Sequence, residues 1–333
     1  MVMEGKRNPP FESFVFVKEE ELPLSRKPLR GGGMRVLRSA DWDSPDLPEY
    51  VEGKDYSVDY ERGTIRRIEG SRIPDGSMHP CYGIEKFDHR KYEDYGNRAY
   101  TVYAVYEGEP DPRLEQPSAK RRVSDLIPKS AAKLSSGRRI TMVVYGDSIS
   151  AGGDASHERF TFYGRFADYV MGMYPEGNIR IRNRAIGGET SEGGASRVES
   201  SVVPEQPDVV TIGYGMNDQN LYEHGLGVSL HDFERNLRHM IQSIRSNSEA
   251  DIVLITPCEP NPLWLHTSGR IGEYAEVIRR LGKELGLGVA DAHAQWREEL
   301  SKGKTPESLL LNNVNHPNDY GHYLYFLSFI SVD

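Results

Sequence analysis

Cysteine is nearly absent from this sequence, and its scarcity excludes one class of protein. Only Cys81 and Cys258 are cysteines among 333 residues. Two cysteines suffice for one disulfide, but not for the framework that stabilises small secreted domains. The sequence contains no CxxC pair and no cluster of cysteine and histidine with zinc-ligand spacing. We therefore expect neither a metal ion nor another cofactor.

Long apolar runs and a basic surplus are also missing. No stretch has the roughly 20 apolar residues of a membrane span, and the polar start, Met1 to Pro10, lacks the apolar core of a signal peptide. The formal net charge is -9, so the chain has no excess of basic residues that could neutralise nucleic-acid phosphates. These features predict a cytoplasmic protein, or a secreted one if a signal was removed. They exclude nucleic acid and membrane as partners and leave a homo-oligomer open.

The length favours two domains, and the composition and hydrophobic pattern of the sequence change along the chain. Residues 1–125 are rich in Tyr, Arg, Glu, Pro and Gly, and carry short alternating stretches typical of half-buried strands. In the clearest stretch, Tyr100, Val102, Ala104 and Tyr106 share one face. The predicted strands are 15–17, 56–60, 63–66 and 100–106. We predict a small antiparallel β-sandwich domain here, with a role in binding substrate or a partner.

Residues 138–333 show a different pattern. A polar segment that starts near Pro117 leads to a predicted linker at 126–137, after which short apolar runs alternate with segments of helical period. The predicted strands are 140–145, 179–183, 208–213, 252–256 and 288–291, and the predicted helices are 160–174, 233–244, 271–285 and 320–330. Alternation of this kind predicts a parallel sheet with helices on both faces, whose ligands bind at the carboxyl ends of the strands.

Four polar blocks occur in the second region, three of them directly behind predicted strands. They are Gly146-Asp147-Ser148, the segment Asn183 to Thr190 with Gly187-Gly188, Gly215-Met216-Asn217-Asp218, and Asn313-Val314-Asn315-His316-Pro317. In this order the blocks resemble those of the SGNH (GDSL-like) hydrolases over roughly residues 138–333. The resemblance implies a flavodoxin-like, three-layer α/β/α fold. It also implies Ser148 as nucleophile, His316 as base, and an oxyanion hole from Ser148 N–H, Gly188 N–H and the Asn217 side chain.

The residue types suit acyl transfer. A serine hydroxyl needs a neighbouring base to take its proton, and histidine titrates in the useful range. Negative charge then develops on the carbonyl oxygen, and each fixed donor that meets it is worth about 10²–10³ in rate. Glycine at 188 allows close approach of the backbone, and Asn217 offers a neutral donor.

One position departs from the resemblance. The family usually carries an aspartate three residues before the histidine, and here that residue is Asn313. Its side-chain oxygen can orient an imidazole but lacks the charge that stabilises the cation. Three alternatives stay open: a Ser–His dyad oriented by a backbone carbonyl, a carboxylate from elsewhere such as Asp291 or Asp319, or a weakened or inactive site.

Two further residues are candidates for substrate binding. Asp147 precedes the serine, although its residue type and position favour structural hydrogen bonding within the loop, and Trp264 would line a pocket unless it simply packs. We expect an esterase for a short acyl group such as acetyl, on a small molecule or a glycan. The alternatives are a thioesterase or lysophospholipase of the same fold, and a non-catalytic glycan-binding protein built on a decayed hydrolase domain.

Overall fold

Two small antiparallel sheets form the front part of the molecule, residues 11–109. The structure is a computed structural model that describes residues 11–41, 47–109, 122–223 and 225–331. The front strands are β1 (Phe11–Phe14), β2 (Leu22–Pro23), β3 (Arg35–Leu37), β4 (Glu49–Tyr50), β5 (Tyr56–Asp59), β6 (Thr64–Arg67) and β7 (Val102–Val105). One sheet has the order β1-β7-β3-β4 and the other β2-β6-β5.

The two sheets enclose a common apolar core, which confirms the predicted antiparallel β fold. Side chains from both sheets meet there: Phe14, Leu22, Val36, Tyr56, Ile65, Val102, Ala104 and Tyr106. The alternation predicted for residues 100–106 is confirmed, because Val102 and Ala104 face this core whereas Tyr103 and Val105 face away from it. The strand predicted at 15–17 is wrong; the strand lies at Phe11–Phe14, and the Val15 N–H donates to the Ser308 hydroxyl instead of to a strand partner.

The segment predicted to be a linker is helical where it is described. Helix α1 (Pro128–Ser135) occupies most of residues 126–137 and buries Ala131 and Leu134 in the main core. The helix has only a short apolar stripe among its lysine and serine residues, so the sequence alone suggests a polar linker. The start of the polar stretch near Pro117 lies outside the described residues.

The second part, residues 122–331, is an alternating α/β fold, as predicted. Its strands are β8 (Arg139–Gly146), β9 (Asn178–Asn183), β10 (Val209–Gly213), β11 (Leu221–Tyr222), β12 (Gly225–Leu226), β13 (Asp251–Ile255) and β14 (Gly288–Ala290). Its further helices are α2 (Phe162–Met173), α3 (Ser191–Ser201), α4 (Leu230–Asn247), α5 (Ile271–Leu285), α6 (Ala292–Ser301), α7 (Pro306–Leu309) and α8 (Asp319–Ile330). The main sheet is parallel throughout, in the order β14-β13-β10-β8-β9.

Helices cover both faces of this sheet because successive strand residues point to opposite sides. Met142 and Val144 of β8 pack with helices α1, α2, α6 and α8, whereas Val143 and Tyr145 pack with α3, α4 and α5. The fold is therefore the three-layer α/β/α arrangement that the motif resemblance implies. None of the described helices combines the length and apolarity needed to cross a bilayer.

The front part packs directly on the second part. Phe11, Tyr103 and Val105, on the outer face of the first front sheet, join the same core as helix α8. Beside them a buried ion pair links Glu12 to Lys304, and each side chain is only 1% exposed. The front part also reaches the loop that follows β8, where the Arg98 guanidinium lies 3.6 Å from Asp154.

Candidate active site

The Ser148 hydroxyl stands just beyond the carboxyl end of β8, where the chain turns sharply. The Gly153 N–H donates back to the Ser148 carbonyl at 2.8 Å and closes the turn. From the end of β9, the Asn183 amide donates to the Ser150 carbonyl at 2.9 Å. The loop after the serine is thereby fixed by its own backbone and by the neighbouring strand.

His316 lies within hydrogen-bonding distance of this hydroxyl, although 168 residues separate the two. The distance from His316 Nε2 to Ser148 Oγ is 2.8 Å. The loop before the histidine is shaped by Asn312, whose side-chain oxygen accepts the His316 N–H at 2.8 Å. The structure thus brings together the two residues that the sequence motifs single out.

A carboxylate meets the other imidazole nitrogen. Asp154 Oδ2 is 3.0 Å from His316 Nδ1. A carboxylate accepts and does not donate, so this contact assigns the proton to Nδ1 and leaves the Nε2 lone pair facing the serine hydroxyl. Asp154 has a left-handed backbone (φ 61°) and follows Gly153, where an added Cβ would lie 3.3 Å from Nδ1. Ser148, His316 and Asp154 therefore have the connectivity of a catalytic triad.

The candidate oxyanion donors are the N–H groups of Ser148 and Gly188 and the side-chain amide of Asn217. Gly188 has φ 75°, a conformation that favours glycine, and a Cβ added at the adjacent Gly187 would lie 3.8 Å from the Ser148 Cβ. Asn217 Nδ2 donates to the Glu189 carbonyl at 3.0 Å, which places its amide against the same turn. The described residues offer no acceptor to the N–H groups of Ser148 and Gly188 or to the second amide hydrogen of Asn217. These donors therefore have hydrogen-bonding capacity that the described residues do not use.

Two buried carboxyl groups lie beneath these loops. Asp147 is 3% exposed and accepts the Ile149 N–H at 3.0 Å, and burial raises the pKa of its carboxyl to about 7. Asp218 accepts the N–H groups of Ser191 and Gly215, and burial raises its pKa to about 6. Both side chains stabilise the loops by accepting hydrogen bonds from their backbone N–H groups. Asp147 was expected to bind substrate, but its side chain faces the protein interior.

The proposed orienting role of Asn313 is wrong. Its side-chain oxygen accepts amide hydrogens from Asn97 at 3.2 Å and from Asn261 at 2.9 Å, and the residue is 3% exposed. Asn313 has φ 57°, and its amide is part of a buried asparagine cluster rather than a partner of the imidazole. The motif position is therefore used for packing between loops.

The two carboxylates considered as replacements also have other partners. Asp291 pairs with Arg279 at 2.7 Å and accepts the Thr256 hydroxyl. Asp319 accepts both the N–H and the hydroxyl of Ser156, two residues after Asp154, at 2.8 and 2.7 Å. Asp319 thus braces the loop that carries Asp154 without contacting the imidazole itself.

Trp264 packs between the two parts instead of lining an open pocket. The indole is 5% exposed, clusters with Phe87 and Val314, and donates its N–H to His89 Nδ1 at 3.0 Å. Because so little of the ring is exposed, it offers no face for stacking on a substrate.

One group among the described residues has metal-ligand spacing: Asp88, His89 and His266. The group suits a metal ion poorly. Both Asp88 oxygens already accept hydrogen bonds from the Arg90 guanidinium, at 2.9 and 3.0 Å. His89 Nδ1 accepts from Trp264, so its proton sits on Nε2, the nitrogen that would have to bind the ion.

Sequence reasoning missed Asp154. The available signal was a carboxylate six residues after the serine, behind two glycines that allow a tight turn. The contact itself depends on where the loops after β8 and before α8 meet, which motif spacing does not encode.

A known family of hydrolases matches the part of the chain that carries the motifs. Residues 144–324 match the profile of the GDSL-like Lipase/Acylhydrolase family. The acetylxylan esterase of Geobacillus stearothermophilus is 28% identical over 216 residues, which is 60% of this chain and 94% of that protein. Esterase TesA of Pseudomonas aeruginosa is 32% identical over 137 residues, which cover 39% of this chain and 62% of the esterase.

Among solved structures, the chain is similar to that of Axe2, an acetylxylan esterase from Geobacillus stearothermophilus. The identity is 26% and the TM-score 0.49, over 58% of this chain and 95% of that one. The family profile alone spans more than half of the 333 residues. The chain belongs to the GDSL-like lipase/acylhydrolase family and is a carboxylic ester hydrolase of the SGNH type.

Proposed function

We propose that this protein removes acetyl or other short acyl groups from an oxygen-rich alcohol such as a sugar, by a serine mechanism. The observation that carries the proposal is the continuous contact from Asp154 through His316 to the Ser148 hydroxyl, at 3.0 and 2.8 Å. The acyl and sugar preference is supported by the similarity to an acetylxylan esterase, of which the match covers 94%.

The first half of the reaction acylates the serine. His316 Nε2 takes the Ser148 hydroxyl proton as Oγ attacks the ester carbonyl carbon. The carbonyl oxygen becomes an anion, which the Ser148 and Gly188 N–H groups and the Asn217 amide stabilise. The intermediate then expels the alcohol oxygen, which receives the proton from His316, and the acyl group stays on Oγ.

The second half restores the serine. Water gives a proton to His316 Nε2 and attacks the acyl carbon, and the same donors hold the oxyanion. Collapse returns the proton to Ser148 Oγ and releases the carboxylic acid. Asp154 stabilises the imidazolium in both halves, because its negative charge lies against the protonated ring.

The contact with Asp154 also bears on the alternative of a decayed, non-catalytic protein. That alternative was based on the missing acid at position 313. A carboxylate at the Nδ1 nitrogen provides a negative charge that Asn313 lacks, and this contact supports the catalytic proposal over the decayed protein.

The decisive experiment compares the wild type with Ser148→Ala on nitrophenyl esters of increasing chain length and on acetylated xylooligosaccharides. We expect kcat to fall by about 10⁴ or more in the variant, and the wild type to prefer acetyl over octanoyl esters. Labelling by a fluorophosphonate should occur at Ser148 and disappear in the variant. Equal turnover by Ser148→Ala would exclude the serine mechanism, and a preference for long acyl chains would exclude the short-acyl assignment.

A further inference from the structure

One short turn of the front part lies against both loops that surround His316. The turn is the 3-10 helix Asn97–Ala99, preceded by Gly96. The Gly96 carbonyl lies 3.2 Å from His79 Nε2, which ties the turn to the rest of the front part. Asn97 and Arg98, the first two residues of the turn, contact different loops of the second part.

Asn97 is bound to the loop that carries His316. The asparagine is 1% exposed, and its Nδ2 donates to the Leu310 carbonyl at 2.7 Å and to Asn313 Oδ1 at 3.2 Å. Its backbone N–H donates to the Leu311 carbonyl at 2.6 Å. Leu311 in turn donates its own N–H to the His316 carbonyl at 2.9 Å. Two successive hydrogen bonds through Leu311 therefore connect Asn97 to the histidine.

Arg98 reaches the loop that carries the carboxylate. Its guanidinium lies 3.6 Å from Asp154 Oδ1, the oxygen that does not contact His316. The Arg98 side chain is 73% exposed, whereas Asp154 is 25% exposed. An exposed pair adds little to stability, but this one acts on the partner of the imidazole.

We propose that Asn97 and Arg98 are positioning residues of the active site. Asn97 holds the loop that carries His316, and Arg98 holds the Asp154 carboxylate with Oδ2 facing the imidazole. The inference rests on the proposed serine mechanism. It makes the front part a component of the active site, and it explains how a site with asparagine at position 313 keeps its histidine in place.

Removal of the Arg98 charge should change both the rate and its pH dependence. Without the guanidinium, the Asp154 carboxylate is held less firmly, which lowers the rate, and no positive charge beside it offsets its negative charge near the ring. The protonated imidazole is then favoured, so the acid limb of the kcat/KM profile moves to higher pH. The other titratable groups around His316 are Asp147, below the serine, and His322, whose Nε2 contacts the Gly153 carbonyl. Both remain unchanged in the comparison.

The experiment measures kcat, KM, pH profile and thermal midpoint of the full chain with nitrophenyl acetate, for wild type, Arg98→Gln, Arg98→Lys and Asn97→Ala. Arg66→Gln serves as the matched control, because Arg66 is an exposed front-part arginine on β6 that contacts Ser57. We expect kcat to fall about threefold in Arg98→Gln and about tenfold in Asn97→Ala, with KM nearly constant. The acid limb of Arg98→Gln should move up by about 0.3 pH unit, and Arg98→Lys should retain the wild-type limb.

Arg98→Gln in an Asp154→Asn background gives a further test. If Arg98 acts through the carboxylate, the double variant has the same kcat as Asp154→Asn. High salt should also move the wild-type profile toward that of Arg98→Gln, because it screens exposed charges.

Three results would overturn the inference: wild-type kcat and pH profile in Arg98→Gln, an effect confined to KM, or a loss in Asn97→Ala that parallels only the fall in thermal midpoint. Failure of the underlying mechanism looks different. In that case Ser148→Ala retains activity and fluorophosphonate does not label the serine, whatever the Arg98 variants do.

Discussion

A carboxylate beside an imidazole fixes the tautomer of the ring and stabilises the cation that forms when the serine loses its proton. Asp154 is placed for both effects, at 3.0 Å from His316 Nδ1. We therefore predict that Asp154→Asn lowers kcat on nitrophenyl acetate by about 10³–10⁴. Its thermal midpoint should stay near the wild-type value, because Asp154 is partly exposed on a loop.

Asn313→Asp is the matched comparison. It puts the carboxylate where the family motif has it, among the amide donors of Asn97 and Asn261, which can accommodate an acceptor. We expect no rise in kcat, alone or combined with Asp154→Asn. A wild-type rate in Asp154→Asn, or recovery in the double variant, would return the acid role to position 313.

The raised pKa of Asp147 predicts that the stability of the protein depends on pH. Burial raises the pKa of its carboxyl from 3.8 to about 7 in the folded protein. Between these values the folded state holds a proton that the unfolded state has lost, so the contribution of Asp147 to stability falls as pH rises from about 4 to 7. In Asp147→Asn this contribution is absent, while the side-chain oxygen still accepts the Ile149 N–H.

Urea unfolding at pH 5 and pH 8 measures the effect. The wild type should lose more unfolding free energy between these two values than Asp147→Asn does. If the two proteins lose the same amount, the Asp147 carboxyl is ionised in the folded state throughout this range.

At the scale of elements, the loop between β8 and α2 is tightly packed around the catalytic groups. A Cβ added at Gly153 would lie 2.8 Å from the Ser148 carbonyl oxygen and 3.3 Å from His316 Nδ1. We predict that Gly153→Ala displaces the imidazole and lowers kcat about tenfold or more, since a shift of about 1 Å can cost about 10² in rate.

Gly172→Ala is the control for this substitution. Gly172 lies in helix α2, where an added Cβ meets nothing within 4 Å. Alanine should raise the unfolding free energy by up to about 1 kcal/mol and leave kcat unchanged. A Gly153→Ala protein with wild-type kcat would show that the loop can move away without cost to the histidine.

The main elements were predictable because their signals are local. The strands β8, β10 and β13 are short apolar runs bounded by turns, β9 alternates isoleucine with polar residues, and α4 carries an apolar stripe of helical period. Helix α1 was missed because only two of its apolar side chains, Ala131 and Leu134, are buried, and half of its eight residues are lysine or serine.

The serine and the histidine were predictable for a different reason. Each lies in a motif next to a strand end or a helix start, and the carboxyl ends of parallel strands meet at one edge of the sheet. Asp154 and Arg98 were not predictable. Their positions depend on contacts between a loop of the second part and a turn of the front part, which a single sequence does not specify.

At the scale of the whole molecule, the buried interface between the two parts determines whether they unfold separately. Lys304 of the second part pairs with Glu12 of the front part, and its ammonium lies 3.7 Å from the centre of the Phe14 ring. Glu12 also accepts hydrogen bonds from Ser25 and Tyr106. Because both charges are buried, each depends on the other for compensation.

We predict that Lys304→Met lowers the unfolding free energy by about 3–5 kcal/mol, since it leaves the Glu12 carboxylate buried without its cation. The double variant Glu12→Gln/Lys304→Met should recover most of the loss, because glutamine still accepts the Ser25 N–H and no charge remains.

Urea unfolding followed in parallel by circular dichroism and by esterase activity measures the unfolding free energy of these variants and of the wild type. The two probes should give one coincident transition in the wild type, because the outer face of the front sheet lies in the same core as helix α8. If activity disappeared at a lower urea concentration than the helical signal, the front part would separate from the second part first. The active site would then require the contact between the two parts, whereas the hydrolase fold would persist without it.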